Sequence, residues 1–284
     1  MKKKILILGS SGMIGSYLSK YLNRKYTVLH FDLLNSYKED LRIQKNNLLK
    51  KKIKQSNFVF FLAFDVGGSG YLEKYQNTFD FINNNLRIMI NTFEMLKFFK
   101  KKFIFASSTM SDLKFSAYGN LKSIGEKYTY SLGGVVVKFW NVYGHESQSE
   151  EKMHVINDFI IKGLKYGTIK TLTDGRESRD FLFVEDCNRA LEIIMNNFNK
   201  LKKLRSIDIA YNKFTTIKKV AAIIKDIFIY NKIKVGFSFS RKKDMVHNNK
   251  KNYPNLILSK YWKPKVSLKE GIEKIFHNHL KKLR

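Results

Sequence analysis

Short apolar runs recur along the first half of the chain, each followed by a polar turn and then by a segment of helical periodicity. The first, Ile5 to Leu8, leads through a Gly-rich turn into a segment with Ile14, Leu18 and Leu22 on one face, and so predicts a strand, a turn and a helix. A second strand, YTVLHFD, closes on Asp32; NNLLKKKIKQ then reads as helix, and NFVFFLAF is again apolar throughout. Runs that are apolar on both faces suit parallel strands covered by helices. The alternation continues with a long helix around FINNNLRIMINTFEMLKFF, a strand KFIFASS, a helix within SAYGNLKSIGEKY and a strand GVVVKFW. Together these predict an α/β fold with a doubly wound parallel sheet and right-handed crossovers.

From about residue 145 the regularity weakens: a helix spans Val155 to Tyr166, the loop TDGRESRD follows, and both prolines, Pro254 and Pro264, lie near the end. The expected organisation is a dinucleotide-binding domain over 1–145 that also takes back 181–205, with 146–284 forming a smaller α/β lobe for substrate. With 284 residues, 44% of them apolar and 14% aromatic, the chain has ample material for a buried core. No run approaches the roughly 20 apolar residues of a bilayer span, and MKKKILILGSSG breaks too early for a secretion signal. A cytoplasmic protein is expected. Cys187 stands alone, with no partner for a disulfide and no ligand spacing for zinc, so no metal is expected.

The net charge of +29, from 53 Lys and Arg against 24 Asp and Glu, changes this picture little. The lysines are scattered in short clusters such as 50 to 52 and 100 to 102, the pattern of solvated faces and helix ends. Neither nucleic acid nor membrane is expected as a partner. A basic surface would favour encounter with a small anion such as a nucleotide diphosphate.

Candidate chemistry begins at Gly9, Gly12 and Gly15, which follow a strand and open a helix that starts with Met13 and Ile14. Glycines there permit a sharp turn and a close approach of backbone to a pyrophosphate, and the helix end offers free N–H groups. Asp32 ends the second strand, where a carboxylate accepts hydrogen bonds from ribose hydroxyls and repels a 2′-phosphate. This Rossmann-type arrangement predicts NAD rather than NADP. Tyr118 and Lys122, four apart, share a helix face, a spacing that by itself fits an ordinary surface pair as well as catalysis.

GSSGMIG, FVFFLAF, FIFASST, AYGNLKSIGE, FWNVYG, TDGRESRDFLFVEDC and YWKPKVSLKEGI occur in an order that resembles, over essentially the whole chain, the extended short-chain dehydrogenase/reductases acting on nucleotide sugars. AFDVGGSG and MHVI make it most similar to the GDP-fucose synthase and GDP-mannose epimerase branch. The resemblance implies Tyr118 as acid/base, Lys122 as its helper and holder of the nicotinamide ribose, and Ser107 as the hydroxyl partner. A phenol with a pKa near 10 is a poor base unless nearby positive charge stabilises the phenolate. It further implies Asp40, Ala63 and Asn85 along the cofactor, and Asn141, Arg179 and Arg241 on the substrate. Asp40 would equally serve as a loop cap, Ala63 as a plain strand residue, Asn85 as a surface amide and Arg179 as partner of Asp180.

The departures narrow the reaction. A 4,6-dehydratase places Asp and Glu directly after its hydroxyl residue, where this chain has Ser108 and Thr109; the GDP-fucose synthase branch has a cysteine at the place of Thr109. His154 falls at that branch's second acid/base, with substrate binding or a structural role as alternatives. Ser107 and Tyr118 lie only 11 apart (118 − 107), which shortens a loop that covers the sugar in relatives. The expected reaction is NAD-dependent oxidation at C4 of a nucleotide sugar, GDP-linked hexose or heptose, to a 4-keto sugar, for instance by a GDP-heptose 4-dehydrogenase in capsule polysaccharide synthesis. A 4-epimerase is the alternative, followed by a 4-keto reductase and a noncatalytic binding protein. A homodimer through helices at 81–99 and 117–132 is expected from the same resemblance.

Overall fold

In the computed structural model, residues 2–146, 150–204, 206–243 and 253–283 are described. Lys4–Leu8 (β1) leads into Met13–Leu22 (α1), Thr27–Phe31 (β2), Asn47–Gln55 (α2), Phe58–Phe61 (β3), Ser69–Tyr75 (α3) and Phe79–Phe98 (α4). Phe103–Ser108 (β4), Ala117–Ser131 (α5), Val135–Phe139 (β5), Asn141–Tyr143 (β6), Val155–Tyr166 (α6) and Thr168–Lys170 (β7) follow. The chain continues through Ser178–Phe183 (β8), Val184–Asn196 (α7), Phe198–Leu201 (α8), Ile207–Ile209 (β9), Phe214–Thr216 (β10), Ile217–Tyr230 (α9), Gly236–Ser238 (β11) and Leu268–Leu283 (α10). Helix starts coincide with residues able to accept from the free first-turn N–H groups: Asn46 caps α2, Thr78 α4, Ser116 α5 and Thr216 α9.

Among the described residues, six strands pair in the order β2-β1-β3-β4-β5-β9, all parallel. Leu8 stands beside both Phe31 and Phe61, so the carboxyl ends of β1, β2 and β3 lie level. The strand order changes direction between β1 and β3, and that is where an α/β sheet opens a crevice for a ligand. Side chains alternate across the sheet as a strand's period of two requires. Ile5, Ile7, Phe58 and Phe60 enter one core with Leu18, Leu22 and α7, whereas Leu6, Leu8, Val59, Phe61 and Phe105 enter the other with α4 and α5.

Segment 181–205 meets the first 145 residues through α7 on α1 and through β8 on β6. Helix α7 does pack back against α1, where Tyr21 donates to Glu192 at 2.6 Å, but Phe181–Phe183 does not join the main sheet. Those residues belong to β8, which pairs with β6 in parallel and β10 antiparallel. The sixth strand of the main sheet is β9, beyond the segment 181–205 expected to return. Both FLF and IDI are short apolar runs of the same type, so pattern alone does not say which sheet each one joins. Strands β7 and β11 form a further parallel pair.

Candidate active site

A cavity of about 1340 Å³ runs from the β1–α1 turn, over the ends of β3 and β4, to β7 and β8. At its first end Gly9 has φ of +85°, and a Cβ there would stand 2.7 Å from the Ala63 nitrogen. A Cβ on Gly15 would lie 2.0 Å from the Gly9 carbonyl oxygen. Both positions therefore require glycine, one for conformation and close approach and the other for packing of helix on turn. Gly12, Met13, Ile14 and Ala63 complete this wall. Asp32 is held at the strand end by hydrogen bonds from the backbone N–H groups of Ser11 (2.8 Å) and Leu34 (2.9 Å). The glycine cradle, the open end of α1 and the carboxylate beyond it suit the diphosphate and ribose of a dinucleotide.

Asp40 also lines the cavity, bound through both carboxylate oxygens by Arg42. Burial works against its ionisation, but the Arg42 hydrogen bonds prevail and hold its carboxyl below the usual range. Asn85 is placed differently from the expectation of a cofactor contact. Its oxygen accepts from the Asp65 N–H at 2.8 Å, and its amide nitrogen donates to the carbonyls of Asp65 and Phe81. Fully buried, it props the loop after β3, and its neighbour Asn84 faces the cavity instead.

Helix α5 brings Tyr118 and Lys122 to the middle of the cavity. Ser116 caps it, accepting from Gly119 at 3.1 Å, and Gln76 from the end of α3 accepts from the Ser116 hydroxyl at 2.8 Å. Tyr118, Lys122 and Glu126 then follow one another at helical spacing along a buried face. Burial pushes the Tyr118 phenol up to about 12, with a hydrogen bond from Ser108 working in the opposite direction. Burial likewise pushes Lys122 down to about 7, against the attraction of Glu126. The Lys122 ammonium donates to the Ala106 carbonyl at 2.8 Å and lies over the ring of Phe64, 3.6 Å from its centre.

Ser107, the serine expected beside the tyrosine, lines the cavity together with Ser108. Ser107 donates to Glu126 at 2.5 Å, and Glu126 in turn lies 3.7 Å from Lys138 of β5. The Ser108 hydroxyl instead bears on the Tyr118 phenol and works to lower its pKa. Adjacent residues of a strand point to opposite sides, so only one of two neighbouring serines can face the phenol. The signal lay in the register: Ser108 is the last residue of β4 and opens the turn that carries Thr109 onto the cavity wall. Glu126 was also legible, one helical step beyond Lys122, whereas the pairing of Phe64 with Lys122 follows only from the fold.

At the far end, Asn141, His154 and Arg179 all line the cavity. The buried Glu146 accepts from the His154 backbone N–H at 2.9 Å and also bonds the Nδ1 of its ring. Burial opposes charge on this imidazole, but the Glu146 carboxylate outweighs it and raises the His154 pKa above the ordinary value. Arg241 is exposed and stands outside the cavity lining, which carries Lys242 and Lys243 at that point. Lys152 reaches across to Asp65 at 2.9 Å, and its carbonyl accepts from Gly68 at 3.0 Å, so residues 152–154 cross the cavity beside α3. Among the described residues, no group of three His, Cys, Asp or Glu side chains could hold a metal ion, and no helix is long and apolar enough to cross a membrane.

Residues 5–210 match the model of the NAD dependent epimerase/dehydratase family. The chain is 26% identical to a putative UDP-glucose 4-epimerase of Methanocaldococcus jannaschii, over 95% of this chain and 96% of that protein. Its fold is similar to that of the epimerase Mth375 of Methanothermobacter thermautotrophicus, with a TM-score of 0.82 at 20% identity over 99% of this chain and 93% of the other. It is also similar to a GDP-6-OMe-4-keto-L-xylo-heptose reductase from C. jejuni, with a TM-score of 0.78 at 20% identity over 100% and 99% of the two chains.

Proposed function

Since the chain belongs to the NAD dependent epimerase/dehydratase family and is thus an NAD-using enzyme of the nucleotide-sugar type, we propose that it oxidises C4 of a nucleotide-linked sugar to a ketone. The observation that carries this reading is the meeting of Tyr118, Ser108 and Lys122 in the cavity that opens from the glycine turn. Bound NAD supplies the hydride acceptor for such an oxidation. Tyr118 takes the proton of the sugar hydroxyl as general base. Ser108 opposes the effect of burial on that phenol, and the Lys122 ammonium is proposed to add positive charge beside it.

Gly9, Gly12, Met13, Ile14, Gly15, Asp32, Asp40 and Ala63 are proposed to line the cofactor, with Tyr118 and Lys122 at its reactive end. Asn141 and Arg179 are proposed to hold the diphosphate, where a guanidinium makes charge-assisted bonds. His154, whose pKa Glu146 raises, is proposed to bind the sugar. The residues after Ser108 are Thr109 and Met110, neither of them a carboxylic acid or a thiol. That supports a reaction ending at the ketone, without dehydration or 3,5-epimerisation. A GDP-linked hexose or heptose, used in surface polysaccharide synthesis, is the proposed substrate, in keeping with the heptose reductase of like fold. The similarity to a putative UDP-glucose 4-epimerase favours a second reading, in which the ketone takes hydride back on its other face.

Two lobes meeting at the cavity and a homodimer through α4 and α5 are proposed as well. Ile90, Phe98, Ile124 and Tyr128 on those helices remain exposed, which supports a covered face there. The test of the reaction is incubation with NAD and a panel of GDP and UDP sugars, followed by nicotinamide absorbance and product NMR. Ketosugar formed with reduced nicotinamide, and lost in Tyr118→Phe, is the expected result; C4 inversion with no net reduction overturns the dehydrogenase in favour of the epimerase.

A further inference from the structure

Lys122 is 4% exposed, yet among the described residues its ammonium has one hydrogen-bond acceptor, the Ala106 carbonyl at 2.8 Å. The rest of its surroundings are aromatic. Its nitrogen lies 3.6 Å from the centre of the Phe64 ring, 5.2 Å from that of Phe105 and 5.7 Å from that of Tyr118. All three distances fall within the roughly 6 Å over which a ring face attracts a cation, and Phe64 is much the closest. The Phe64 ring also meets Tyr118 edge-on, at 5.7 Å and 80°. One side chain from the loop after β3 thus fixes both members of the Tyr118 and Lys122 pair.

The charged groups around this cage are accounted for. On α5, Glu126 is the carboxylate whose charge reaches Lys122, and it is shared with Ser107 and Lys138. Lys138 is itself bonded to Asp112 at 2.8 Å. Beside Phe64, Asp65 is engaged by Lys152 and Tyr71. No carboxylate is hydrogen-bonded to the Lys122 ammonium among the described residues.

We infer that Phe64 is a positioning residue for the reaction proposed above: its ring face favours the charged form of Lys122 and holds the side chain in place beside Tyr118. An alkyl side chain of similar volume fills the same space but offers no negative π-face. In the absence of the Phe64 ring, burial of the ammonium is opposed by Glu126, one carbonyl and the more distant rings of Phe105 and Tyr118, and the neutral amine is favoured more than in the wild type. The inference rests on the proposed reaction for its purpose, though not for its test.

The test is a pH titration of lysine side chains by NMR in the full chain without cofactor, with the Lys122 signal identified by its loss in Lys122→Met. Phe64→Leu is expected to move the Lys122 midpoint down by roughly one pH unit, while Phe64→Tyr, which restores the ring, leaves it near the wild-type value. Should Phe64→Leu fail to fold, Phe64→Met gives the same comparison. In turnover, Phe64→Leu is expected to lower kcat with little change in the KM for nucleotide sugar. An unmoved midpoint in the Leu or Met variant, or an equal fall in Phe64→Tyr, overturns the cage even if the enzyme oxidises a nucleotide sugar. Failure of the wild-type protein to reduce NAD with any sugar overturns the reaction instead, and leaves an observed midpoint shift as support for the cage.

Discussion

Replacing each of the two adjacent serines by alanine separates a group that serves the reaction from one that serves the fold. Ser108→Ala removes the hydroxyl that bonds to Tyr118, the interaction that works against burial at that phenol. A hydrogen bond to a charged group such as the phenolate contributes about 1.5–3 kcal/mol, which corresponds to roughly a 10- to 150-fold loss in kcat where that phenolate is the base. Little of the fold depends on it, since Ser108 otherwise only accepts from Met110 at 3.2 Å at the start of a single turn. Ser107→Ala instead strips the buried Glu126 carboxylate of a partner at 2.5 Å. Lys138 at 3.7 Å offsets part of that loss, so the expected cost is about 1.5–3 kcal/mol of stability. The folded fraction should turn over at close to the wild-type rate. Urea unfolding followed by fluorescence, together with initial rates of NAD reduction on the same samples, reads both quantities. If Ser107→Ala loses rate as severely as Ser108→Ala while its unfolding midpoint stays put, the division of roles argued from the strand register is wrong.

Asp32→Ser should raise the use of NADP and weaken NAD by roughly tenfold, because the ribose hydroxyls lose a charged acceptor and a 2′-phosphate loses a repelling neighbour; unchanged KM values for both cofactors would contradict the role given to that carboxylate. His154 yields a pH dependence. Its folded pKa is raised above the unfolded value near 6.5, so its bond to Glu146 stabilises the protein fully below that pH, and the contribution is lost as pH rises through the folded value. His154→Gln should therefore flatten the alkaline side of a stability profile from urea titrations, and a profile identical to wild type would count against a cationic imidazole.

Much of this protein was determined by its sequence alone. Apolar runs such as ILIL and FVFF, each buried on both faces, can only be central parallel strands, and Gly9 and Gly15 leave no room for any side chain. Helical spacing alone puts Tyr118 and Lys122 on one face. These are local facts, carried by period and by residue size. The tertiary structure decided what local pattern leaves degenerate. Two neighbouring serines read alike until strand register turns one to Glu126 and the other to Tyr118. FLF and IDI are interchangeable until pairing sends the first to β6 and the second to β5. Asn85 looks like a ligand until the loop after β3 and its own helix take up its hydrogen bonds, and Arg241 until the cavity wall forms without it. The placing of Phe64 over an ammonium 58 positions away (122 − 64) belongs with these, since contacts between distant segments are set by packing and not by any one segment's own preferences.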